Sequence, residues 1–415
     1  MKNKQSFFII TGNIVYLAVQ WLLTILAVRL TDNYEMAGVL GIATTITSIF
    51  YTFSCYGMRS FQVSDIKKIY RDQEYILSRG ITVAAALLAC WIYAIAFGYT
   101  DYHTLAPIML YMVYKSFEAA SDVMYGIFQI NDRYDYVCAS MSIKGVLSLI
   151  VFTVPLVMGQ PLELSLLAMV GVAALTFFTF DLRWCLKYVR PLILWTRDAW
   201  QRTFKLLWVS APMVVLLIVQ PLLMSIPRLF FERYYSTELL GAYSSISSPT
   251  VVISTFVSCA VMPYVPLFAQ YFYAGEKKRL YKLTFGSLFF AAGFGLCALI
   301  GGALLGEWAL VILYGESIRS YAPIFLLVII VTTFSALTMC LNSLFIALRK
   351  LAVLSCILLL GCLLCQLITP YFVSTYAMAG ITYALMVVQA FQLLLGIALA
   401  VWYIRKIPTN IKEPM

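Results

Sequence analysis

Three charged side chains interrupt an apolar run at residues 104–127 of the sequence. Lys115, Glu118 and Asp122 are spaced i, i+3 and i+7, which places them on one face of an α-helix. A charge at the bilayer centre costs about 2.5–3.5 kcal/mol on insertion scales, so exposing all three to lipid would disfavour insertion. We therefore expect this face to point into a helix bundle or a water-filled path, where it binds a charged substrate or an ion. The alternative is a buried ion-pair network that only fixes one helix against the next.

A fourth charge, Lys144, lies in the next apolar run, at about 136–158. Asp122 and Lys144 are each about seven residues, or ~10 Å, from the turn at 130–135 that joins the two runs. In an antiparallel helix pair they would lie at about the same height, so the two side chains could meet across the pair. The two lysines and two carboxylates would then carry no net charge. Lys115 lies deepest and is the best candidate to meet an anion, whereas a carboxylate here could instead carry a coupling cation.

The elements that must position these charges are membrane-spanning helices. Of the 415 residues, 62% are hydrophobic and 12% are charged, against roughly 45–50% and about 25% in soluble domains. About 20 apolar residues span a bilayer as a helix. Twelve runs of this kind can be distinguished, at about 7–28, 37–57, 81–99, 104–127, 136–158, 162–182, 206–230, 239–262, 284–306, 321–346, 351–369 and 377–403. Because lipid offers no partner to exposed backbone groups, we predict an all-α integral membrane protein with about twelve transmembrane helices. The N-terminal run is long enough to be a retained first helix rather than a signal peptide.

The basic residues predict the orientation of the chain in the membrane. Loops and termini on the N-terminal side of the predicted spans hold 23 of the 29 Lys and Arg residues, including the five at 58–80 among which Arg79 is counted, and the opposite side holds four. This bias predicts that both termini are cytoplasmic. The net charge of +10 is then a topology signal that also favours contact with anionic lipid headgroups, and we expect no nucleic-acid partner.

Cysteine and histidine give no indication of metal or acid–base chemistry. The ten cysteines are scattered through apolar runs, and the Cys362–Cys365 pair has no histidine nearby. The single histidine, His103, lies in a short predicted loop, and no G-x-x-x-x-G-K-[ST] run occurs. External loops such as 307–320 are short for a membrane glycosyltransferase or polymerase. We therefore expect no metal, no cofactor and no enzymatic activity.

An internal repeat predicts how the helices are grouped. Residues 19–48 and 219–248 align without gaps and share Val, Gln, Leu, Leu, Tyr, Leu, Gly, Ile and Ser at matching positions. Because six helices return the chain to the same side, the copies form a parallel repeat about an axis along the membrane normal. We predict two six-helix bundles, residues 1–182 and 206–415, joined by a basic cytoplasmic connector at 183–205. A substrate site is expected between them, around a central cavity.

The fourth and fifth runs resemble the corresponding stretch of bacterial polysaccharide flippases of the Wzx type. The stretch "YKSFEAASDVMYGIFQINDRYDYVCASMSIKG" carries a Lys, an acidic pair, a Gly-x-x-Gln, an Arg, and a Ser followed by a basic-Gly pair. The matching residues are Lys115, Glu118, Asp122, Gly126, Gln129, Arg133, Ser142, Lys144 and Gly145. The start "GNIVYLAVQWLLTILAVRL" and the loop "YGMRSFQVSDIKK" at 56–68 also resemble that family, whereas topology and the repeat alone support the second half.

The resemblance implies the multidrug/oligosaccharidyl-lipid/polysaccharide exporter fold. Its members move undecaprenyl-diphosphate-linked oligosaccharides from the inner to the outer leaflet of the bacterial cytoplasmic membrane, for capsule, O-antigen of lipopolysaccharide or related glycans. Cations that line the cavity are expected to meet the diphosphate. Carried over to this sequence, these cations are Lys115, Lys144 and Arg59. Arg59 is expected at the cytoplasmic mouth, where it could equally be a charge that sets the orientation of the chain. Glu118 and Asp122 offset the lysines, which departs from the expected positive cavity, and one of these carboxylates could couple transport to H⁺ or Na⁺.

Other transporter classes fit less well. A cation-coupled multidrug antiporter shares this fold and is the main alternative. A flippase for the peptidoglycan lipid precursor is close in chemistry but usually has fourteen spans. A major facilitator transporter would carry a Gly-x-x-x-Asp-Arg-x-Gly-Arg pattern between its second and third spans, and "YGMRSFQVSDIKKIYRD" does not fit that pattern.

Overall fold

A computed structural model describes residues 2–30, 34–65, 69–189, 196–261 and 264–406. These residues form helices joined by short turns, and no strand occurs among them. This all-α architecture confirms the predicted class, because an apolar helix satisfies its own backbone hydrogen bonds in lipid. The chain divides into two compact units, Met1–Pro221 and Leu222–Met415, which we call unit 1 and unit 2.

Unit 1 is built from the first helices of the chain. Their bounds are α1 (Lys2–Arg29), α2 (Glu35–Cys55), α3 (Met58–Ser64), α4 (Asp72–Ala96), α5 (Tyr102–Ile130), α6 (Tyr134–Val157), α7 (Leu162–Thr176), a π-helical segment (Phe177–Leu182), α8 (Arg183–Cys185) and α9 (Arg197–Tyr234), which continues into unit 2. α1 packs along α6, whereas α5 contacts α2, α3, α4 and α7. α5 is thus surrounded by other helices, and about half of its residues are buried.

A break between α2 and α3 directs the chain toward α5. Tyr56 and Gly57 both adopt left-handed backbone conformations, with φ of 51° and 65°. A Cβ at Gly57 would lie 3.1 Å from the Leu217 side chain, so glycine fits both the backbone geometry and the space. α3 begins directly after the break and places Arg59 in its first turn.

Unit 2 contains the remaining helices. Their bounds are α10 (Thr237–Ser247), a 3₁₀ turn (Ser248–Thr250), α11 (Val251–Val261), α12 (Val265–Tyr273), α13 (Lys277–Tyr314), a second 3₁₀ turn (Glu316–Tyr321), α14 (Pro323–Ala347) and α15 (Leu351–Lys406). α14 packs against both α13 and α15. α15 contains two helices joined at Ala377, whose φ of 49° and ψ of −127° are not helical. The predicted break between the last two spans, at about 370–376, therefore lies within one residue of the observed one.

The division between the units falls inside α9, after the predicted connector at 183–205. The first half of α9 packs on unit 1, where Leu206 belongs to a buried cluster with Met58 and Val123. These contacts extend unit 1 to Pro221. The predicted limits of the two six-helix bundles stay a prediction.

Eight described helices are long and apolar enough to cross a membrane. α5 is not among them, because its charges and tyrosines lower its mean hydropathy, and α15 counts once although it is broken at Ala377. The chain is therefore a multi-pass membrane protein, and the number of twelve spans stays a prediction.

Candidate functional site

Seven charged side chains from five elements of unit 1 form ion pairs within it. We call them the charged cluster, and they are Arg59 on α3, Arg79 on α4, Lys115, Glu118 and Asp122 on α5, Lys144 on α6, and Asp181 on the π-helical segment. The cluster contains all five residues predicted from the sequence and adds two that were not predicted, Arg79 and Asp181.

Lys115 and Glu118 form an ion pair one helical turn apart on α5. Lys115 Nζ lies 2.8 Å from Glu118 Oε2. The hydroxyl of Tyr16 on α1 connects the two charges, since it accepts a hydrogen bond from Lys115 at 2.7 Å and donates one to Glu118 at 2.5 Å. Both charges are thus satisfied away from water, as buried ions require.

Four tyrosine rings surround the ammonium group of Lys115. Its Nζ lies 5.4 Å from the ring centroids of Tyr16, Tyr111 and Tyr114, and 5.5 Å from that of Tyr51. A cation within about 6 Å of a ring centroid is attracted by the π electrons, most strongly where water is absent. We call these four rings the tyrosine cage. Together with Glu118 the cage holds the lysine, whose side chain is 14% exposed.

Asp122 is shared by two arginines. Arg79 Nη2 lies 2.9 Å from Asp122 Oδ2, and Arg59 Nη1 lies 3.3 Å from Oδ1. Arg79 also donates to the backbone carbonyl of Ser54, so it joins the end of α2 to α5. The sequence placed Arg79 among the loop charges, and that assignment is wrong: α4 begins at Asp72, which puts Arg79 two turns inside the helix, buried.

Lys144 pairs with Asp181 rather than with Asp122. Its Nζ lies 3.4 Å from Asp181 Oδ2 and donates to the Ser121 hydroxyl at 2.7 Å, which in turn donates to the same carboxylate oxygen at 2.6 Å. The predicted Asp122–Lys144 contact is therefore wrong. α5 packs extensively against α2, α4 and α7 but contacts α6 only slightly, so Asp122 faces the arginines of α3 and α4 instead.

Asp181 owes its position to an unusual helical segment. α7 passes into a π-helix at Phe177–Leu182, and the Asp181 carboxylate is fully buried there. π-helical turns are rare in proteins, but those that occur are often found at functional sites. One signal in the sequence pointed to this residue: Lys144 is a cation within an apolar run, so it requires a carboxylate partner, and Asp181 ends the run at 162–182.

The charged cluster carries an excess of one positive charge. Its four cations and three carboxylates give +4 − 3 = +1, whereas the four residues considered in the sequence gave zero. Exposure divides the cations into two classes: the Arg59 and Lys115 side chains are 27% and 14% exposed, and those of Arg79 and Lys144 are 3% and 2% exposed. The prediction that this face of α5 points inward is confirmed.

Residues from the family pattern also support Arg59. Gln129 accepts a hydrogen bond from Arg59 Nε at 3.1 Å. A Cβ at Gly126 would lie 2.1 Å from the Gln62 amide oxygen, so the missing side chain lets α3 approach α5 closely. Arg133, in the turn after α5, instead forms a two-bond pair with Asp135, and this pairing raises the pKa of the Arg133 guanidinium. Gln129 and Gly126 thus position the most exposed cation of the charged cluster.

The fold is shared with solved membrane transporters. The lipid II flippase MurJ matches with a TM-score of 0.72 at 13% identity, over 97% of this chain and 89% of that one. A mutant of the MATE transporter VcmN of Vibrio cholerae matches with a TM-score of 0.64 at 14% identity, over 97% of this chain and 95% of that one. At these identities the likeness shows the fold alone, which is the predicted multidrug/oligosaccharidyl-lipid/polysaccharide exporter fold.

Sequence similarity connects the chain to polysaccharide synthesis. It is 27% identical over 319 residues to the capsular polysaccharide biosynthesis protein CapF of Staphylococcus aureus, covering 76% of this chain and 78% of CapF. The family model "Polysaccharide biosynthesis protein" matches residues 3–272, a span that includes every residue of the charged cluster. The chain therefore belongs to the polysaccharide biosynthesis protein family of membrane transporters.

Proposed function

We propose that this protein translocates undecaprenyl-diphosphate-linked oligosaccharides from the inner to the outer leaflet of the bacterial cytoplasmic membrane by alternating access. Membership of the polysaccharide biosynthesis family supports the glycan part of the substrate. A fold shared with the lipid II flippase MurJ supports a lipid-linked substrate. The bias of basic residues supports cytoplasmic N- and C-termini.

The observation that carries this proposal is the positive charged cluster inside a membrane-embedded unit. Ionisable groups at such positions are costly and generally mark substrate or ion paths. Arg59 and Lys115 are the cations with exposed atoms, so we assign them to the diphosphate. An arginine suits this role because its planar fork binds phosphate oxygens through two hydrogen bonds. Lys144 and Arg79 are buried in ion pairs, which favours a positioning role for both.

The proposed reaction breaks no bond and uses no cofactor. A diphosphate that moves outward leaves the negative side of the membrane, and each charge gains about 2.3 kcal/mol per 100 mV. Two charges would gain roughly twice that amount, so the membrane potential suffices as a driving force. Glu118 or Asp122 would be the site of any H⁺ or Na⁺ counter-flow.

Translocation in proteoliposomes tests the proposal. The purified protein is reconstituted with a labelled undecaprenyl-diphosphate oligosaccharide, and the rate at which the label reaches the opposite leaflet is measured. Arg59→Gln and Lys115→Gln should each slow this rate about tenfold or more, because each removes one charged hydrogen-bond donor worth roughly 1.5–3 kcal/mol. Arg319→Gln is the matched control, since Arg319 is an exposed arginine paired with Glu307 and Glu316 in unit 2.

A cation-coupled multidrug antiporter is the second candidate. It is favoured by the fold match to MATE transporters and by the buried carboxylates Glu118 and Asp181. Dye efflux driven by a proton or sodium gradient, in preparations that do not translocate lipid-linked glycans, would establish this function in place of the first. Unchanged glycan translocation in both cation variants would instead retain the flippase and remove the charged cluster from its substrate path.

A further inference from the structure

A cavity of about 590 Å³ opens in unit 2 beside the start of α13. It lies between the end of α11, helix α12 and the first turns of α13. Its polar lining comes from Tyr264, Tyr271, Arg279, Lys282 and Ser287, and its apolar lining includes Gly286 and Phe290. None of these residues belongs to the charged cluster.

Three polar side chains that line this cavity have no partner in the part of the chain that the structure describes. Among the described residues, the ammonium group of Lys282 forms no ion pair or hydrogen bond, and the Tyr264 and Tyr271 hydroxyls form no hydrogen bond. Arg279 differs, because Glu276 holds its Nη1 at 2.8 and 3.1 Å. The cavity therefore presents one unpaired cation and two hydroxyl donors, a set that suits a singly charged anion.

The helix that carries these cations does not itself stabilise their charge. The first six residues of α13 include four cations, Lys277, Lys278, Arg279 and Lys282, and no acidic residue lies in its first turn. A helix N-terminus is positive and is stabilised by anions, so cations at this end are unfavourable without a negative partner. Glu276, directly before the helix, is occupied by Arg279. An external anion would supply the missing charge.

The cavity combines this basic mouth with an apolar body. Arg279 and Phe290 are eleven residues apart on α13, which corresponds to roughly 16 Å along the helix. The rest of the lining is apolar apart from Ser287 and comprises Ala260, Val261, Leu283, Gly286 and Phe290. A basic helix end followed by an apolar wall is the arrangement expected at the boundary between headgroups and hydrocarbon.

We propose that this cavity binds an anionic phospholipid of the surrounding leaflet. Its phosphate would lie against Lys282 and the two tyrosine hydroxyls, and one acyl chain would follow the wall toward Phe290. A volume of about 590 Å³ is in the range of small-ligand pockets. This volume accommodates a phosphoglycerol headgroup with part of one acyl chain. All of its lining residues belong to unit 2.

Native mass spectrometry of the purified, delipidated full-length protein tests this site. The protein is titrated with phosphatidylglycerol and with phosphatidylcholine, and the occupancy of each is measured. Lys282→Gln should weaken phosphatidylglycerol binding about fivefold relative to phosphatidylcholine. Gly286→Leu should block the cavity and reduce binding at least as much. A Cβ at Gly286 meets no atom within 4 Å, so this substitution fills open space without a clash.

Lys278→Gln is the matched control, because Lys278 is an exposed cation at the same helix end that pairs with no described residue and does not line the cavity. It should change phosphatidylglycerol binding less than twofold. Equal losses in the Lys278 and Lys282 variants would indicate diffuse surface attraction and overturn the proposal. Undecaprenyl diphosphate that binds tenfold more tightly than phosphatidylglycerol, and is lost in Gly286→Leu, would assign the cavity to the transported lipid instead. Neither outcome depends on whether the protein translocates glycans.

Discussion

Lys144 and Asp181 form an ion pair that is almost completely inaccessible to solvent. Their side chains are 2% and 0% exposed, and Ser121 bridges them. The second carboxylate oxygen of Asp181 has no hydrogen-bond partner among the described residues. Such a pair contributes little net stability, because the cost of removing both charges from water offsets their attraction. It does, however, make α6 and the π-helical segment depend on each other.

This dependence predicts a non-additive effect on stability. Lys144→Met or Asp181→Leu alone leaves a buried charge without its partner and should cost about 3–5 kcal/mol. The double variant removes both charges and should be close to the wild type. The stabilities of the two single variants and the double variant are measured by thermal unfolding in detergent, with the loss of monodisperse protein as the readout. Additive losses in the double variant would mean that the two side chains do not act as a pair.

Composition and hydropathy predicted the helical class, and the spacing of Lys115, Glu118 and Asp122 predicted a buried face, because both depend on the chain alone. The partners of these charges depend on which helices pack together, which hydropathy does not encode. Arg79 was assigned to a loop because it lies just before the apolar run at 81–99. Asp181 was missed because its orientation depends on a π-helical turn, for which the sequence carries no simple pattern.

Within the tyrosine cage, removing the Tyr16 hydroxyl should cost more stability than removing the Tyr51 hydroxyl. Tyr16→Phe keeps the ring but removes the hydroxyl that bridges Lys115 and Glu118. Because both partners are charged and poorly exposed, the loss should cost about 1–3 kcal/mol and lower the melting temperature. Tyr51→Phe also keeps its ring near Lys115, and no hydrogen bond joins its hydroxyl to this pair, so it serves as the control. Equal shifts in both variants would show that the bridging hydroxyl of Tyr16 contributes no more to stability than the Tyr51 hydroxyl, which does not bridge the pair.

The ion pairs of Asp122 predict that substitution of the carboxylate costs more stability than substitution of Arg59, the more exposed of its two arginine partners. Asp122→Asn leaves Arg79, only 3% exposed, without a counter-charge, and should destabilise the protein by several kcal/mol. Arg59→Gln leaves the Arg79–Asp122 pair intact, and Arg59 is 27% exposed, so its loss should change stability by less than about 1 kcal/mol. Melting temperatures of the two variants, compared in the same detergent, measure the difference. A large loss of stability in Arg59→Gln would assign that arginine to the framework rather than to the substrate.

The proposed uniport predicts how the membrane potential sets the distribution of substrate. A potential of 30 mV shifts the equilibrium ratio between leaflets by about threefold for each charge moved, and by about tenfold for a substrate with two charges. For a lipid-linked glycan on a monophosphate, the factor by which a given potential shifts the leaflet ratio should therefore be the square root of the factor for the diphosphate. Leaflet ratios measured in proteoliposomes at potassium-diffusion potentials test this relation.

The same experiment distinguishes the effect of the membrane potential on the final leaflet ratio from the effect of the charged cluster on the rate. Arg59→Gln should slow the approach to equilibrium but leave the final ratio unchanged, because a passive carrier alters only the rate. A ratio that ignores the potential and follows an imposed proton or sodium gradient would contradict the uniport. It would indicate obligatory exchange with a cation, and Glu118 and Asp122 would then be the first carboxylates to neutralise.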